Sequence, residues 1–320
     1  MDKDCTKIVL LDAASLGKDI DLTPLLGFPG FASYDCTDET KWKQRVQDAQ
    51  VLISNNVVYT SEKLACAEKL KLICVTSTGY DHVDLSWCRA HGIAVCNVPA
   101  YSGNSVAQYA VTMALALSCR LLTYRGYVHS GKYSAGTTPN FVAPVWHEIA
   151  GKTWGVLGCG DIGHRVGRVA RALGCHVLAY RRSKDTEFET VDINTLVARA
   201  DIISIHLPLT EQTRGIVSRE VICRMKPGAI VINVARGAVV DEGALVDAFM
   251  RGHLAGLGID AYAEEPLPED SPYMKLKNHP NVILTPHSAW SSQEARNRCI
   301  AVVSRNIEAF LSEKQENRVC

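Results

Sequence analysis

The stretch Thr153-Trp154-Gly155-Val156-Leu157-Gly158-Cys159-Gly160-Asp161-Ile162-Gly163 decides how the rest of the chain is read. A short apolar run that reads as a strand leads into three spaced glycines. The segment that follows, Asp161 to Leu173, carries Val166, Val169, Ala170 and Leu173 at helical spacing. Strand, glycine turn and helix together are the context in which such glycines bind a dinucleotide. Gly158 permits the tight turn, Gly160 lets the backbone approach a pyrophosphate, and Gly163 lets the helix pack close to the strand. The helix start at Asp161 and Ile162 faces the phosphate charge with backbone N–H groups.

The next strand refines the nucleotide. An NAD site usually carries an acid about 20 residues after the glycines, to bind the ribose 2′-hydroxyl. Here the strand His176-Val177-Leu178-Ala179-Tyr180 ends in Arg181-Arg182-Ser183-Lys184, with no acid at that place. A carboxylate there would repel a 2′-phosphate, whereas guanidiniums and a hydroxyl would hold one. The residues therefore favour NADP. NAD stays open if the arginines are only a solvated basic turn.

Composition narrows the class. Of 320 residues, 47% are apolar and 21% charged, which suits a globular chain long enough for two domains. The formal net charge of zero argues against nucleic acid or an anionic membrane as the main partner. The most apolar stretch, Val106 to Leu122, is interrupted by Gln108, Thr112, Ser118 and Arg120, and reads as a buried helix rather than a membrane span. The twelve cysteines are scattered without Cys-x-x-Cys pairs or zinc spacing, so no metal is expected. With no export signal at the charged N-terminus, a reducing cytoplasm is the expected location.

Strand-like runs alternate with helical ones in two series, which predicts an α/β fold of two doubly wound parallel sheets. The first series is Ile8–Leu11, Val51–Ile53, Leu72–Thr76 and Ile93–Cys96. The second is Trp154–Leu157, His176–Tyr180, Ile202–Ile205, Ala229–Val234, Gly256–Ile259 and Val282–Leu284. A boundary is expected at Asn97-Val98-Pro99. A last helix over Ser291–Ser312, with Ala295, Cys299, Val302, Val303 and Ile307 on one side, could return to the first sheet. The expected organisation is a nucleotide domain over 99–287, inserted in a substrate domain of 1–98 plus 288–320.

Three polar residues fall just after predicted strands, at the sheet edge where α/β ligands bind: Arg236, Glu265 and His287. Reducing a ketone by hydride requires a proton for its oxygen, a task suited to histidine. A neighbouring carboxylate would fix the ring and favour its charged form. An arginine can clamp the carboxylate of a 2-keto acid. Spacing alone does not say whether Glu264 or Glu265 is the partner.

The stretches Gly158–Gly163, His206-Leu207-Pro208-Leu209-Thr210, Asn233–Gly237, Asp260–Pro266 and Thr285-Pro286-His287 resemble, in order and spacing, the D-isomer-specific 2-hydroxyacid dehydrogenase family. The resemblance implies a Rossmann domain inserted in a flavodoxin-like domain, and a homodimer built on the nucleotide domain. It implies His287 as acid/base, Glu265 as its partner and Arg236 as substrate clamp. It places Asp260 at the nicotinamide amide and Leu207, Pro208 and Val234 along the nucleotide. It assigns the substrate carboxylate to the amides of Thr78 and Gly79. Ser77–Tyr80, Asn55 and Trp290 are most similar to glycerate dehydrogenases, also called hydroxypyruvate reductases, with Asn55 on the substrate. Arg181 departs from the aspartate of NAD-dependent members and fits NADPH-dependent reductases of glyoxylate and hydroxypyruvate. Other readings are a D-lactate-type enzyme using NAD, or a nucleotide-sensing corepressor-like protein that binds peptides.

Overall fold

The computed structural model describes residues 6–320. The chain divides into two compact units, one running to Ser102 and resuming at Trp290–Cys320, the other Gly103–Ala289. The divides lie a few residues beyond Val98 and His287, for a packing reason at each. Val98 and Tyr101 are buried in the core of the first unit, while the amides of Ser288 and Ala289 bond Asp260 in the second.

The first unit holds a five-stranded parallel sheet: β1 Ile8–Leu10, β2 Phe31–Ser33, β3 Val51–Ser54, β4 Leu72–Val75 and β5 Ala94–Cys96, in the order β2-β1-β3-β4-β5. Strands buried on both faces read as near-continuous apolar runs, as β1, β4 and β5 do and as β3 does up to Ser54. β2 was not expected; it is a half-exposed edge strand, too short to show a pattern. The helix Gln293–Leu311 packs Ala295, Cys299, Ile300, Val303 and Ile307 onto this sheet. Val302, expected in that stripe, is only partly buried.

The second unit holds seven parallel strands: β6 Thr153–Leu157, β7 His176–Tyr180, β8 Glu189–Thr190, β9 Ile202–Ile205, β10 Ala229–Asn233, β11 Leu254–Ile259 and β12 Val282–Leu284. Their order is β12-β11-β10-β9-β6-β7-β8, so the winding reverses between β6 and β9, where α/β sheets open a crevice. The glycine turn leaves β6 at that point. The helix Asp161–Ala172 buries Gly163, Val166, Gly167 and Ala170, one face at i, i+3, i+4 and i+7. Val169 and Leu173 lie instead on the exposed flank.

The apolar stretch near Val106 forms the helix Gly103–Ser118, largely buried, and then breaks. Arg120 takes a left-handed conformation, and the chain bends by 64° into the helix Leu121–His129. Among the described residues no single helix is long and apolar enough to cross a membrane.

Candidate active site

The glycine turn shows why each glycine stands where it does. Gly158 has φ +98°, and a Cβ there would lie 2.7 Å from the His206 carbonyl carbon. At Gly163 a Cβ would overlap the Gly158 carbonyl oxygen and crowd Val156. Around Gly160 the space is open. Two glycines are thus demanded by the protein's own packing, and the middle one leaves its backbone approachable. Gly160 caps the helix without a side-chain bond, leaving the first-turn amides of Asp161 and Ile162 to an outside acceptor. Beside the turn, both ring nitrogens of His206 are buried with no partner among the described residues. These features fit a dinucleotide phosphate.

Past β9, Leu207 is buried and Pro208 exposed; Val234, past β10, is buried. Burial drives the His206 imidazole down to about 3. Protons added below about pH 6.5 are therefore taken up by the unfolded chain and not by the fold, so stability drops as pH falls. About 2 kcal/mol should be lost from this ring alone between about pH 7 and pH 5. Urea titrations at the two pH values check it: His206→Asn should flatten the dependence, and an unchanged slope in that variant would refute the assignment.

At the end of β7 an unexpected acid enters. Arg181 Nη1 bonds Oδ2 of Asp185 at 2.8 Å, and the Asp185 side chain is fully buried. Oδ1 of the same carboxylate accepts the amides of Glu187 and Phe188. Burial works against the charged form, but those amides, Arg181 and His164 outweigh it and hold the Asp185 carboxyl far below the usual range. The carboxylate is fully buried, with the two amides on Oδ1 and Arg181 on one side of Oδ2, so Asp185 is no ribose acceptor in disguise. Arg181 is partly neutralised, and Arg182, Ser183 and Lys184 stay exposed. The signal in sequence was Asp185 two and three residues before the amides it accepts, an Asx-type turn.

Past β10, β11 and β12, three neighbouring strands, come the other candidates. His287 Nδ1 lies 2.7 Å from Glu265 Oε2, and Glu265 Oε1 accepts the Tyr262 amide at 2.9 Å. Both glutamates are exposed, and Glu265 is the one that faces the histidine. Burial pushes the Glu265 carboxyl up, but the His287 bond and charge, the Tyr262 amide and Arg236 together hold it below its ordinary value. His287 has φ +50°, a conformation uncommon for a side chain of its size. The loop is fixed around it by the buried carboxylate of Asp260. Asp260 accepts the Thr285 hydroxyl at 2.6 Å and the amides of Ser288 and Ala289 at 2.8 and 2.9 Å. These bonds make Asp260 the anchor of the His287 loop, a role spacing did not reveal.

Arg236 begins the turn after β10. Its carbonyl accepts from Asn233 Nδ2 at 3.1 Å, and its Nη1 donates to the Ala235 carbonyl. A Cβ at Gly237 would overlap the Tyr262–Ala263 backbone. The Arg236 turn is therefore pressed against the loop that carries Glu265.

In the first unit, Asn55, Thr78 and Gly79 lie just past β3 and β4. Asp12, past β1, accepts the amides of Asn55 and Asn56 at 2.8–3.1 Å, bridging the point where that sheet reverses its winding. The Thr78 hydroxyl donates to the Val98 carbonyl and Ser77 to the Gly79 carbonyl. The Thr78 and Gly79 amides have no acceptor among the described residues. Trp290 packs edge-on to Tyr101, 6.4 Å between centroids.

Residues 111–289 match the family described as D-isomer specific 2-hydroxyacid dehydrogenase, NAD binding domain. The chain is 34% identical over 322 residues to a hydroxypyruvate reductase of Blautia hydrogenotrophica, covering 98% of this chain and 99% of that one. Among solved structures, a D-lactate dehydrogenase from Aquifex aeolicus complexed with NAD and lactic acid superposes with a TM-score of 0.86 at 29% identity, covering 96% of each chain. An acyclic imino acid reductase in complex with NADPH and D-Arg superposes at 0.88 with 27% identity, over 98% of this chain and 100% of that one. The chain belongs to the D-isomer-specific 2-hydroxyacid dehydrogenase family, an oxidoreductase family with an NAD-binding Rossmann domain.

Proposed function

We propose that the protein reduces small 2-keto acids of the hydroxypyruvate and glyoxylate class to D-2-hydroxy acids, with NADP as the preferred cofactor. The observation that carries this reading is the 2.7 Å contact of His287 with Glu265, on a loop pressed against the Arg236 turn. Because Nδ1 donates to a carboxylate, Nε2 is the atom left to hold the transferable proton. Glu265 keeps the ring in that orientation. Arg236 takes the substrate carboxylate, and the Thr78 and Gly79 amides and Asn55 are the first unit's own candidates for substrate contact. The nicotinamide, when bound, supplies the hydride for the keto carbon. Gly158, Gly160, Asp161, Ile162 and Gly163 would hold its pyrophosphate, and Leu207, Pro208, Val234 and Asp260 would line the remainder. Arg182 and Ser183 would hold the 2′-phosphate, with Arg181 steadied by Asp185.

Steady-state assays with NADPH and NADH over a keto-acid panel test the reading; cofactor oxidation with none of the acids would sink it. Arg182→Ser should raise KM for NADPH about tenfold, the worth of one charge-assisted contact. The KM for NADH should stay unchanged, and equal effects on both would reject the 2′-phosphate role.

The reading includes a homodimer in a reducing cytoplasm. Around the helix Leu121–His129 an apolar face is exposed, with Val142 at 79% and Val145 at 69% exposure beside Trp146. Phe141 stacks on Tyr127 at 3.8 Å within it. A face of that kind, on the nucleotide unit, suits a second copy. The eleven cysteines of the described residues are all free, as a reducing compartment requires.

A further inference from the structure

Beside the glycine turn, three donor atoms from two chain segments converge. The Cys159 Sγ, a His164 ring nitrogen and an Asp185 carboxylate oxygen lie within 4.8 Å of one another. His164 Nδ1 is 2.9 Å from the Gly160 carbonyl oxygen, which can only accept, so Nδ1 carries a hydrogen. Nε2 then faces a second pure acceptor, Asp185 Oδ2, at 2.8 Å. A ring nitrogen and a carboxylate oxygen that face each other beside a thiol are donor types a divalent metal can bridge.

The surroundings favour ligation. A metal-binding histidine almost always donates its other nitrogen to a carbonyl or carboxylate, as Nδ1 does here. A ligating carboxylate is itself hydrogen-bonded. Asp185 is held by two amides on Oδ1 and by Arg181 on one side of Oδ2, which leaves the direction toward His164 and Cys159. The His164 side chain is 23% exposed and that of Asp185 is not exposed at all, so entry is past the imidazole.

We propose that Cys159, His164 and Asp185 form a binding site for a thiophilic divalent cation of the zinc class. Binding displaces the thiol proton, and the Nε2 proton when the ring is charged, with no change of oxidation state. Sulfur, imidazole and carboxylate in a three-ligand set suit zinc or cobalt, with a fourth position left to water. Bond lengths of about 2.0–2.3 Å require the Nε2–Oδ2 gap to open by roughly half an ångström, which the part-exposed ring can supply. The site stands on residues of the second unit alone and does not depend on the proposed reaction.

Cobalt(II) added to the nucleotide-free protein tests it. A thiolate-to-cobalt charge-transfer band should rise to one equivalent and be abolished by zinc. Cys159→Ser should remove the band, and His164→Gln should weaken binding at least about tenfold. No band, or a band of equal strength in Cys159→Ser, would overturn the site, the second because the exposed Cys36 or Cys223 had captured the metal. No turnover is measured, so neither result bears on the reductase reading.

Discussion

Replacing His287 by alanine is expected to lower kcat/KM for hydroxypyruvate reduction by about 10²–10⁴-fold, the usual worth of a positioned acid. NADPH affinity, read by fluorescence titration, should hardly move. The variant loses the atom that carries the proton, and also the partner that draws the Glu265 carboxyl down. Left without its histidine, that carboxyl should take up protons at higher pH than in the wild type. Glu265→Gln should retain more activity, since the ring survives and loses only the charge that orients it. Near-wild-type turnover in His287→Ala would leave the proposed chemistry without a proton source.

The strand–turn–helix around Gly158 was legible because three independent constraints meet there. An apolar strand, a positive φ and a close helix contact each leave a residue-type signature. The apolar strands were legible too, since burial on both faces leaves few polar residues in them. Edge strands such as Phe31–Ser33 and Glu189–Thr190 leave no such trace, because two or three half-exposed residues satisfy any pattern. The exposed flank of Val169 and Leu173 was misread for a related reason. Small residues, Gly163 and Gly167, face the sheet, so apolar periodicity alone pointed beside the true face.

Residues at strand ends could be placed by counting, but their partners could not. Which glutamate faces His287 depends on how the chain turns between Tyr262 and Pro266. The amides that Asp260 gathers lie nearly thirty residues downstream. Asp185 is the sharpest case. Read linearly, the basic run Arg181–Lys184 has no acid at the ribose position. In space the turn folds back and seats a carboxylate under Arg181. Cys159 and His164 had no zinc spacing in sequence for the same reason: their third neighbour comes from a different turn.

Arg236→Ala is expected to cost about 10²–10³-fold in kcat/KM, comparable to losing one preorganised charge-stabilising donor. The loss should fall on keto-acid KM and kcat together while KM for NADPH holds, because a clamp both binds and aligns. Arg236→Lys keeps the charge but not the planar fork, and should still cost roughly tenfold or more. The two variants separate a second role. Arg236 is among the charges that hold the Glu265 carboxyl below its ordinary value. Removing that charge lets Glu265 protonate at higher pH, so the acid limb of the kcat/KM profile should move upward in Arg236→Ala and stay in place in Arg236→Lys. The turn itself should survive both changes, since Asn233 holds the Arg236 carbonyl and Gly237 sets the contact with Tyr262 through backbone atoms. Unchanged keto-acid KM in Arg236→Ala would remove the clamp from the proposed reaction, and an acid limb fixed in both variants would remove its coupling to Glu265.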